Sequence, residues 1–163
     1  MTSGHDNSTP TGWRFPSELG GELPVPEDWT AVDVPGGEVR AFAGPTTPPL
    51  RSNLTFTVSK LDRPFSAWVE EAERILGKSL NSFRVIERCP QSLRGSRPGN
   101  AFRLTAHHIA EDGAAVMMIQ WITQAPERCL TVTLSLSPVR LTGLREYIAE
   151  LDSFHGFGSE EEQ

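Results

Sequence analysis

The chain has 163 residues, of which 37% are hydrophobic, including four tryptophans and eight phenylalanines. This is enough for one domain with a core, because a domain of this size buries roughly two-thirds of the surface of its unfolded chain. The net charge of −6 argues against a nucleic-acid binder, which normally carries a basic stripe. With no secretion signal and no apolar run of membrane-spanning length, the sequence predicts a cytoplasmic protein without a membrane span.

The first third of the chain predicts a tail followed by short strands. Residues 1–12 are polar, and their composition predicts a disordered tail. Residues 13–34 carry apolar side chains broken by prolines, which is typical of short strands around a Pro-Glu-Asp-Trp turn. Residues 39–43 predict another short strand. Residues 53–59 alternate between apolar and polar side chains, which predicts a strand with one buried face.

The hydrophobic period then changes from two to 3.6. Apolar side chains recur at helical spacing after Pro64, with charged residues between them. The pattern predicts an amphipathic helix with Pro64 in its first turn and an end at Gly77 or Asn81. Residues 83–89 predict a strand, and residues 94–100 predict a loop rich in turn residues.

The C-terminal part predicts a last helix and a second tail. Ser137-Pro138 places a capping residue before a proline, which is the usual start of a helix. The expected apolar stripe of this helix is Leu141, Leu144, Ile148 and Leu151. Residues 155–163 contain three consecutive glutamates and predict an acidic mobile tail. The order strands, helix, four-stranded meander and helix predicts one α+β domain with an antiparallel sheet over residues 13–154.

The pairing of the meander, residues 102–136, decides which side chains share a face of the sheet. Asp112-Gly113 is a strong signal for a two-residue hairpin loop, because both central residues of such a turn need a positive φ. This loop pairs His107 with Met118. A four-residue loop at residues 124–127 makes the next turn.

In this register the sheet has two faces of different character. One face collects apolar side chains: Phe102, Leu104, Ala106, Ala115, Met117, Ile119, Trp121, Leu130, Val132, Leu134 and Leu136. The opposite face, which we call the mixed face, is half apolar and half polar: Arg103, Thr105, His107, Ile109, Val116, Met118, Gln120, Ile122, Cys129, Thr131, Thr133 and Ser135. A slip of one residue would scatter the apolar set, so the hydrophobic pattern favours this pairing.

Three pieces of sequence, in this order, resemble the PsbP/DcrB-like superfamily and its actinobacterial LpqN-type lipoproteins. They are Leu23-Pro24-Val25-Pro26-Glu27-Asp28-Trp29, Asn53-Leu54-Thr55-Phe56-Thr57-Val58 before the first helix, and Leu151-Asp152-Ser153-Phe154 at the end of the last helix. The resemblance implies a PsbP-like three-layer α/β/α sandwich, with an antiparallel sheet flanked by helices. It also implies a non-enzymatic role, since the relatives are photosystem subunits, a GTPase binder, envelope lipoproteins and secretion chaperones. The absence of a lipoprotein signal favours the chaperone-like members.

No motif in the chain predicts catalysis, a metal or a cofactor. His107 and His108 are adjacent in a predicted strand and therefore point to opposite faces, so they cannot share one ion. We expect His108 to be a hydrogen-bonded histidine at the edge of the core. No serine lies in a nucleophile-elbow pattern, and the 94–100 loop lacks the Gly-Lys-Ser/Thr ending of a phosphate loop. Cys89 and Cys129 predict two separate reduced thiols.

The mixed face is the predicted site of partner binding. Its predicted contact residues are Arg103, His107, Val116, Met118, Gln120, Ile122, Thr131 and Thr133. The apolar side chains of Val116, Met118 and Ile122 would each forgo about 1.5–3 kcal/mol of burial free energy if they were left in water, so something should cover them. The candidates are the C-terminal helix, a second copy of the chain in a homodimer, or a hydrophobic segment of a client protein.

The sequence therefore predicts a non-catalytic protein-binding domain of adaptor or chaperone type. The alternative is a carrier of a small molecule or lipid, with a pocket between sheet and helix lined by Trp68, Trp121 and Phe102. An enzyme is the third hypothesis. It comes last because an active site needs a cleft with converging titratable groups, which the sequence does not supply.

Overall fold

The computed structural model describes residues 13–14, 22–34, 39–46, 48–91 and 101–153. The predicted tails, the predicted loop at residues 94–100 and Phe154 lie outside the described residues. No helix among the described residues is long and apolar enough to cross a membrane.

The described residues form nine strands, two α-helices and one 3₁₀ turn. The strands are β1 (Trp13–Arg14), β2 (Glu22–Leu23), β3 (Thr30–Val32), β4 (Val39–Ala43), β5 (Asn53–Lys60), β6 (Asn81–Gln91), β7 (Ala101–Ile109), β8 (Ala115–Ala125) and β9 (Arg128–Leu136). The helices are α1 (Phe65–Ser79) and α2 (Arg145–Ser153), and the 3₁₀ turn is Pro138–Arg140. The fold class is α+β, as predicted.

Seven strands form one antiparallel sheet in the order β3-β4-β5-β9-β8-β7-β6, while β1 and β2 pair separately. The predicted four-stranded meander is therefore confirmed as β6 to β9. Strand β5 adds to its open side by pairing with β9. The long strand β6 is left at one edge of the sheet, and the three-residue strand β3 lies at the other.

The helix boundaries follow the sequence at α1 but not at the C-terminus. Helix α1 begins at Phe65, directly after Pro64, and runs past Gly77 to Ser79. The prediction that a helix begins at Ser137-Pro138 is wrong. Ser137 precedes a short 3₁₀ turn without a side-chain capping bond, and α2 begins only at Arg145. Gly143 lies in the intervening turn, where a glycine weakens a helix by about 1 kcal/mol relative to alanine.

The predicted register of the β7–β8 hairpin is wrong by one residue. Ile109 pairs with Ala115, so the loop has five residues instead of two. Only Gly113 has a positive φ, of 89°, and the Asp112 carboxylate accepts a 3.0 Å hydrogen bond from the Ala114 N–H. This shift by an odd number turns every β7 side chain to the other face.

The second loop, in contrast, is shorter than predicted, but this error leaves each side chain on its predicted face. Ala125 pairs with Arg128, which leaves the two-residue loop Pro126-Glu127 with a positive φ at Glu127. Trp121 consequently pairs with Val132 instead of Leu130. A shift by two residues preserves the side on which each side chain lies.

The main hydrophobic core lies on the face that carries Trp121. The core joins this sheet face to α2 and to the segment before β3. Its members are Leu23, Val25, Trp29, Phe42, Leu54, Phe56, Ile119, Trp121, Leu130, Val132, Leu134, Leu136, Tyr147 and Leu151. The predicted Leu23–Trp29 motif is thus a structural element, because three of its side chains are buried in this core.

Helix α1 contacts the other face of the sheet. Glu73 of α1 forms an ion pair with Arg88 of β6, and Arg88 pairs in register with Leu104. Leu104 lies opposite Gln120 and hence on the mixed face. The two helices therefore contact residues that point to opposite sides of the sheet.

Candidate binding surfaces

Six of the eight predicted contact residues lie on one face of the sheet. In the observed register Met118 pairs with Ser135, Gln120 with Thr133, and Ile122 with Thr131. The Gln120 side-chain amide donates a 3.1 Å hydrogen bond to the Thr133 hydroxyl. The grouping of these strand residues on the mixed face is what the sequence predicted.

This face is buried within the chain, so it does not offer an open patch. The side chains of Val116, Met118 and Ile122 are 3%, 4% and 2% exposed, and Gln120 is 9% exposed. Leu104 and Ala106 of β7 lie beside them, because β7 is turned relative to the predicted register. The predicted cover by the C-terminal helix is wrong, since α2 packs on the face that carries Trp121.

Arg103 and His107 lie on the opposite face from the other six predicted residues. Arg103 pairs in register with Trp121, and His107 pairs with Met117. Both assignments to the mixed face are therefore corrections that follow from the one-residue shift in the hairpin. His107 and His108 point to opposite faces, as predicted, but Nδ1 of His108 is buried and has no hydrogen-bond partner among the residues that the structure describes.

Arg103 belongs instead to a polar network that fastens α2 to the sheet. The guanidinium donates hydrogen bonds of 2.8 and 2.9 Å to the two carboxylate oxygens of Asp152, and one of 3.1 Å to Glu87. The indole N–H of Trp121 donates a 2.8 Å bond to the same Asp152 carboxylate. The hydrogen bonding of its guanidinium to the Asp152 carboxylate is the main cause of a raised pKa of Arg103. This arrangement positions α2 against the sheet.

The two cysteines occur as free thiols. Cys129 is buried and Cys89 is half-buried. Burial raises the pKa of the Cys129 thiol to about 11, so it stays protonated at neutral pH. No group of three or more potential metal ligands occurs among the described residues.

The first surface with room for a partner lies between α1 and β6. A groove of about 710 Å³ is lined by residues of both elements, including Glu73, Gly77, Phe83 and Arg88. Strand β6, which forms one wall of this groove, also carries a large exposed apolar side chain, Ile86 at 59%.

Ile86 is the extra residue of an irregularity in β6. Val85 pairs with Ala106 and Glu87 pairs with Thr105, so Ile86 has no register partner on β7. A bulge at a sheet edge usually redirects a side chain or ends the pairing. Here it accompanies a β-branched apolar side chain in water. Sequence analysis missed this residue, because the predicted strand contained no signal for the bulge.

The second surface is a cavity of about 460 Å³ beside α2. Trp29 and Tyr147 line it, with ring centroids 5.7 Å apart and an angle of 58° between their planes. The Tyr147 hydroxyl donates a 2.8 Å hydrogen bond to the Pro24 carbonyl. Tyr147 lies three residues after Leu144, and this spacing could have revealed it as part of the apolar stripe.

Neither of the two cavities described above is lined by Trp68, Trp121 or Phe102, the residues of the predicted pocket. Trp121 is 5% exposed and its register partners place it within the main core. Phe102 lies on the opposite face, because it pairs with Ile122. The three side chains therefore do not line a common space.

Comparison with solved structures identifies the fold. CyanoP, the cyanobacterial PsbP of Synechocystis sp. PCC 6803, is similar with a TM-score of 0.70 and 16% identity, over 96% of this chain and 98% of that one. LpqN, involved in cell envelope biogenesis of Mycobacterium tuberculosis, has a TM-score of 0.60 and 18% identity, with coverage of 91% and 84%. PA94 of Pseudomonas aeruginosa, a protein of unknown function, has a TM-score of 0.62 and 19% identity, with coverage of 89% and 94%.

No protein-family model and no curated sequence matches the chain. The structural neighbours include PsbP and LpqN, as the predicted resemblance to the PsbP/DcrB-like superfamily requires. At identities below 20% the likeness establishes the fold, and function has to be argued from the surfaces of this chain.

Proposed function

We propose that the chain is a three-layer α/β/α sandwich that serves as a non-catalytic protein-binding domain of adaptor or chaperone type. The proposed docking surface consists of the free edge of β6 and the adjoining side of α1. The proposed occupant is an extended segment of a partner protein. The edge strand is the observation that carries the proposal.

Strand β6 has eleven residues, and among the described strands only β7 pairs with it. An unpaired edge presents a row of backbone N–H and C=O groups that can bind another strand. Proteins usually protect such an edge with charged side chains, proline or a bulge. Strand β6 has charged side chains, Pro90 and a bulge, so the proposed strand addition is confined to the stretch around Ile86, the exposed apolar side chain at the bulge.

Ile86 gives this edge an apolar contact. Its side chain is 59% exposed, so its burial would contribute about 1–2 kcal/mol to a complex. Backbone hydrogen bonds along the edge would give affinity for an extended chain, and Ile86 would select an apolar residue in it. The buried mixed face offers neither feature.

A photo-crosslinking experiment tests this surface. The crosslinking amino acid p-benzoylphenylalanine is placed at Ile86 in cells that produce the protein, and captured partners are identified by mass spectrometry. The matched control places it at Val32, which is 46% exposed on the other edge strand. We expect a reproducible partner at Ile86 that is absent at Val32.

Binding of that partner is then measured with purified proteins. Ile86→Lys should weaken binding by about tenfold or more, because the substitution removes an apolar contact and places a charge at the interface. Val32→Lys makes the same change on the opposite edge and should leave the affinity within about twofold. Equal effects of the two substitutions, or a crosslink only to a second copy of the chain, would refute the proposal.

A carrier of a small molecule is the second candidate function. Its support is the cavity beside Trp29 and Tyr147, which lies within the roughly 300–1,000 Å³ range of ligand pockets. Native mass spectrometry of the purified protein tests this function. A retained small molecule that Tyr147→Ala abolishes would favour the carrier over the protein-binding domain.

A further inference from the structure

The groove between α1 and β6 has an apolar floor that a glycine leaves open. Phe83 and Val85 of β6 line the groove, and both are half-buried. Gly77 of α1 lines it from the other side, and a Cβ added there would lie 3.7 Å from the Phe83 ring. The missing side chain of Gly77 therefore leaves the space beside Phe83 unoccupied.

The glycine at this position is not explained by the chain itself. Its φ lies outside the left-handed range, and the added Cβ would make only an ordinary contact with Phe83. Neither the backbone nor the packing against the described residues requires Gly77, although a glycine weakens a helix relative to alanine. The open space is what this residue provides.

A strand added to β6 would place side chains over the groove. Val85 pairs in register with Ala106, which pairs with Met118 on the mixed face, the side of the sheet that α1 contacts. Successive side chains of a strand point to opposite faces of the sheet. Every second residue of an added strand would therefore lie on the α1 side, beside Phe83 and Val85.

The charged residues around the groove balance one another. Two of the three arginines that line it form ion pairs with glutamates of α1, Arg88 with Glu73 and Arg74 with Glu71. The two remaining charged residues of the lining have opposite signs: Glu70 and Arg84. The groove thus has no excess charge that would select a charged side chain, while aromatic and β-branched residues pair well across strands.

We propose that this groove is the specificity pocket for the segment that adds to β6, and that it takes a large apolar side chain of that segment. Gly77 is the specificity-determining residue, because its missing side chain makes room for the partner's side chain. The inference rests on the proposed function and adds to it the chemistry of the partner, an extended segment with an aromatic or β-branched residue on the α1 side.

A phage-displayed library of random peptides supplies the probe. Peptides are selected on the purified full chain, and those that no longer bind Ile86→Lys are kept as ligands of the β6 edge. We expect them to share one large apolar residue, whose replacement by alanine weakens binding about tenfold in fluorescence polarisation with synthetic peptides. Edge ligands that lack such a residue would overturn the proposal.

Substitutions at Gly77 locate the pocket. Gly77→Leu should weaken binding of the selected peptide about tenfold and Gly77→Ala about two- to threefold, because the new side chains fill the groove. The alanine-substituted peptide leaves the pocket empty, so it should bind Gly77→Leu and the unchanged chain within about twofold of each other. A general distortion of α1 would weaken the binding of both peptides.

The matched control is Ser79→Leu, an exposed position about 200° around the same helix from Gly77, which should leave the affinity unchanged. Leucine and alanine are good helix formers, so the variants should fold, which circular dichroism verifies. Peptides that depend on Ile86 but bind Gly77→Leu as tightly as the unchanged chain would overturn the pocket and leave the β6 edge standing. If no selected peptide depends on Ile86, both proposals fail.

Discussion

The coupling between Arg103 and Asp152 is the sharpest test of the observed register. In the structure Arg103 faces α2, and its Nη1 contacts both carboxylate oxygens of Asp152, which also accepts the Trp121 indole N–H. In the register predicted from the Asp112-Gly113 loop, Arg103 would lie on the face opposite Trp121 and could not reach this carboxylate.

Asp152→Ala should lower the free energy of unfolding mainly because it leaves the Trp121 indole N–H without its acceptor. The Trp121 side chain is almost fully buried, and an unpaired buried donor costs about 1–3 kcal/mol. The charge pair adds less, about 0.5–1 kcal/mol, because the Arg103 and Asp152 side chains are 23% and 34% exposed and Arg103 keeps Glu87. We expect a loss of about 2–3 kcal/mol in the free energy of unfolding.

A double-mutant cycle isolates the charge pair from the indole contact. Asp152→Asn retains an oxygen that can accept the Trp121 N–H, and Arg103→Met retains much of the side-chain volume. Urea unfolding followed by circular dichroism should give a coupling energy of about 1 kcal/mol between the two substitutions. Asp33→Asn, an exposed acid without a described partner, serves as the control. A coupling energy indistinguishable from zero would refute the observed placement of Arg103.

Three further predictions concern the packing of two glycines and the titration of the single tyrosine. Gly44→Ala should lower the free energy of unfolding by about 1–3 kcal/mol, because a Cβ there would lie 3.0 Å from Trp29 Cε2; urea unfolding measures this. Gly77→Ala in α1 should raise the free energy of unfolding by about 0.5–1 kcal/mol, because the new Cβ would meet only the Phe83 side chain of β6, at 3.7 Å. A loss of stability would contradict the observed packing of α1. Tyr147, the only tyrosine in the chain, has a raised pKa in the folded state, so the unfolded state loses its proton first and stability falls as the pH rises above about 10. Tyrosinate absorbance should therefore appear at a higher pH in the folded protein than in urea, and coincident titrations would show that Tyr147 is not buried.

The sequence predicted the elements better than their pairing, for a physical reason. Local patterns place β5 and α1 within a residue or two of their observed positions, because the period of apolar side chains is a local property. Register depends instead on loop geometry. The Asp112-Gly113 pair favoured a two-residue turn, but the Asp112 side chain bonds the backbone of Ala114 and stabilises a five-residue loop.

The candidate surfaces escaped prediction because each depends on residues far apart in sequence. Trp29 was named in a predicted turn and in the Leu23–Trp29 motif, Tyr147 was not singled out, and nothing local indicates that their rings meet. Ile86 lay within a predicted strand, and its exposure results from a bulge that the pairing with β7 reveals. The β8 and β9 side chains of the mixed face were predicted correctly, but those of β7 were not, and the burial of this face could not be predicted from composition.

The proposed layer arrangement also explains where a partner can bind. When both faces of a sheet are covered, apolar side chains such as Met118 contribute to the core, where their burial stabilises the monomer. Binding is then left to the parts that the layers cannot cover, namely the strand edges and the rims of the helices. In this chain those positions hold the exposed Ile86 at one edge and the aromatic cavity near the other. A partner would therefore engage the periphery of the sheet, and the sheet itself would serve as the rigid support that holds the two surfaces apart.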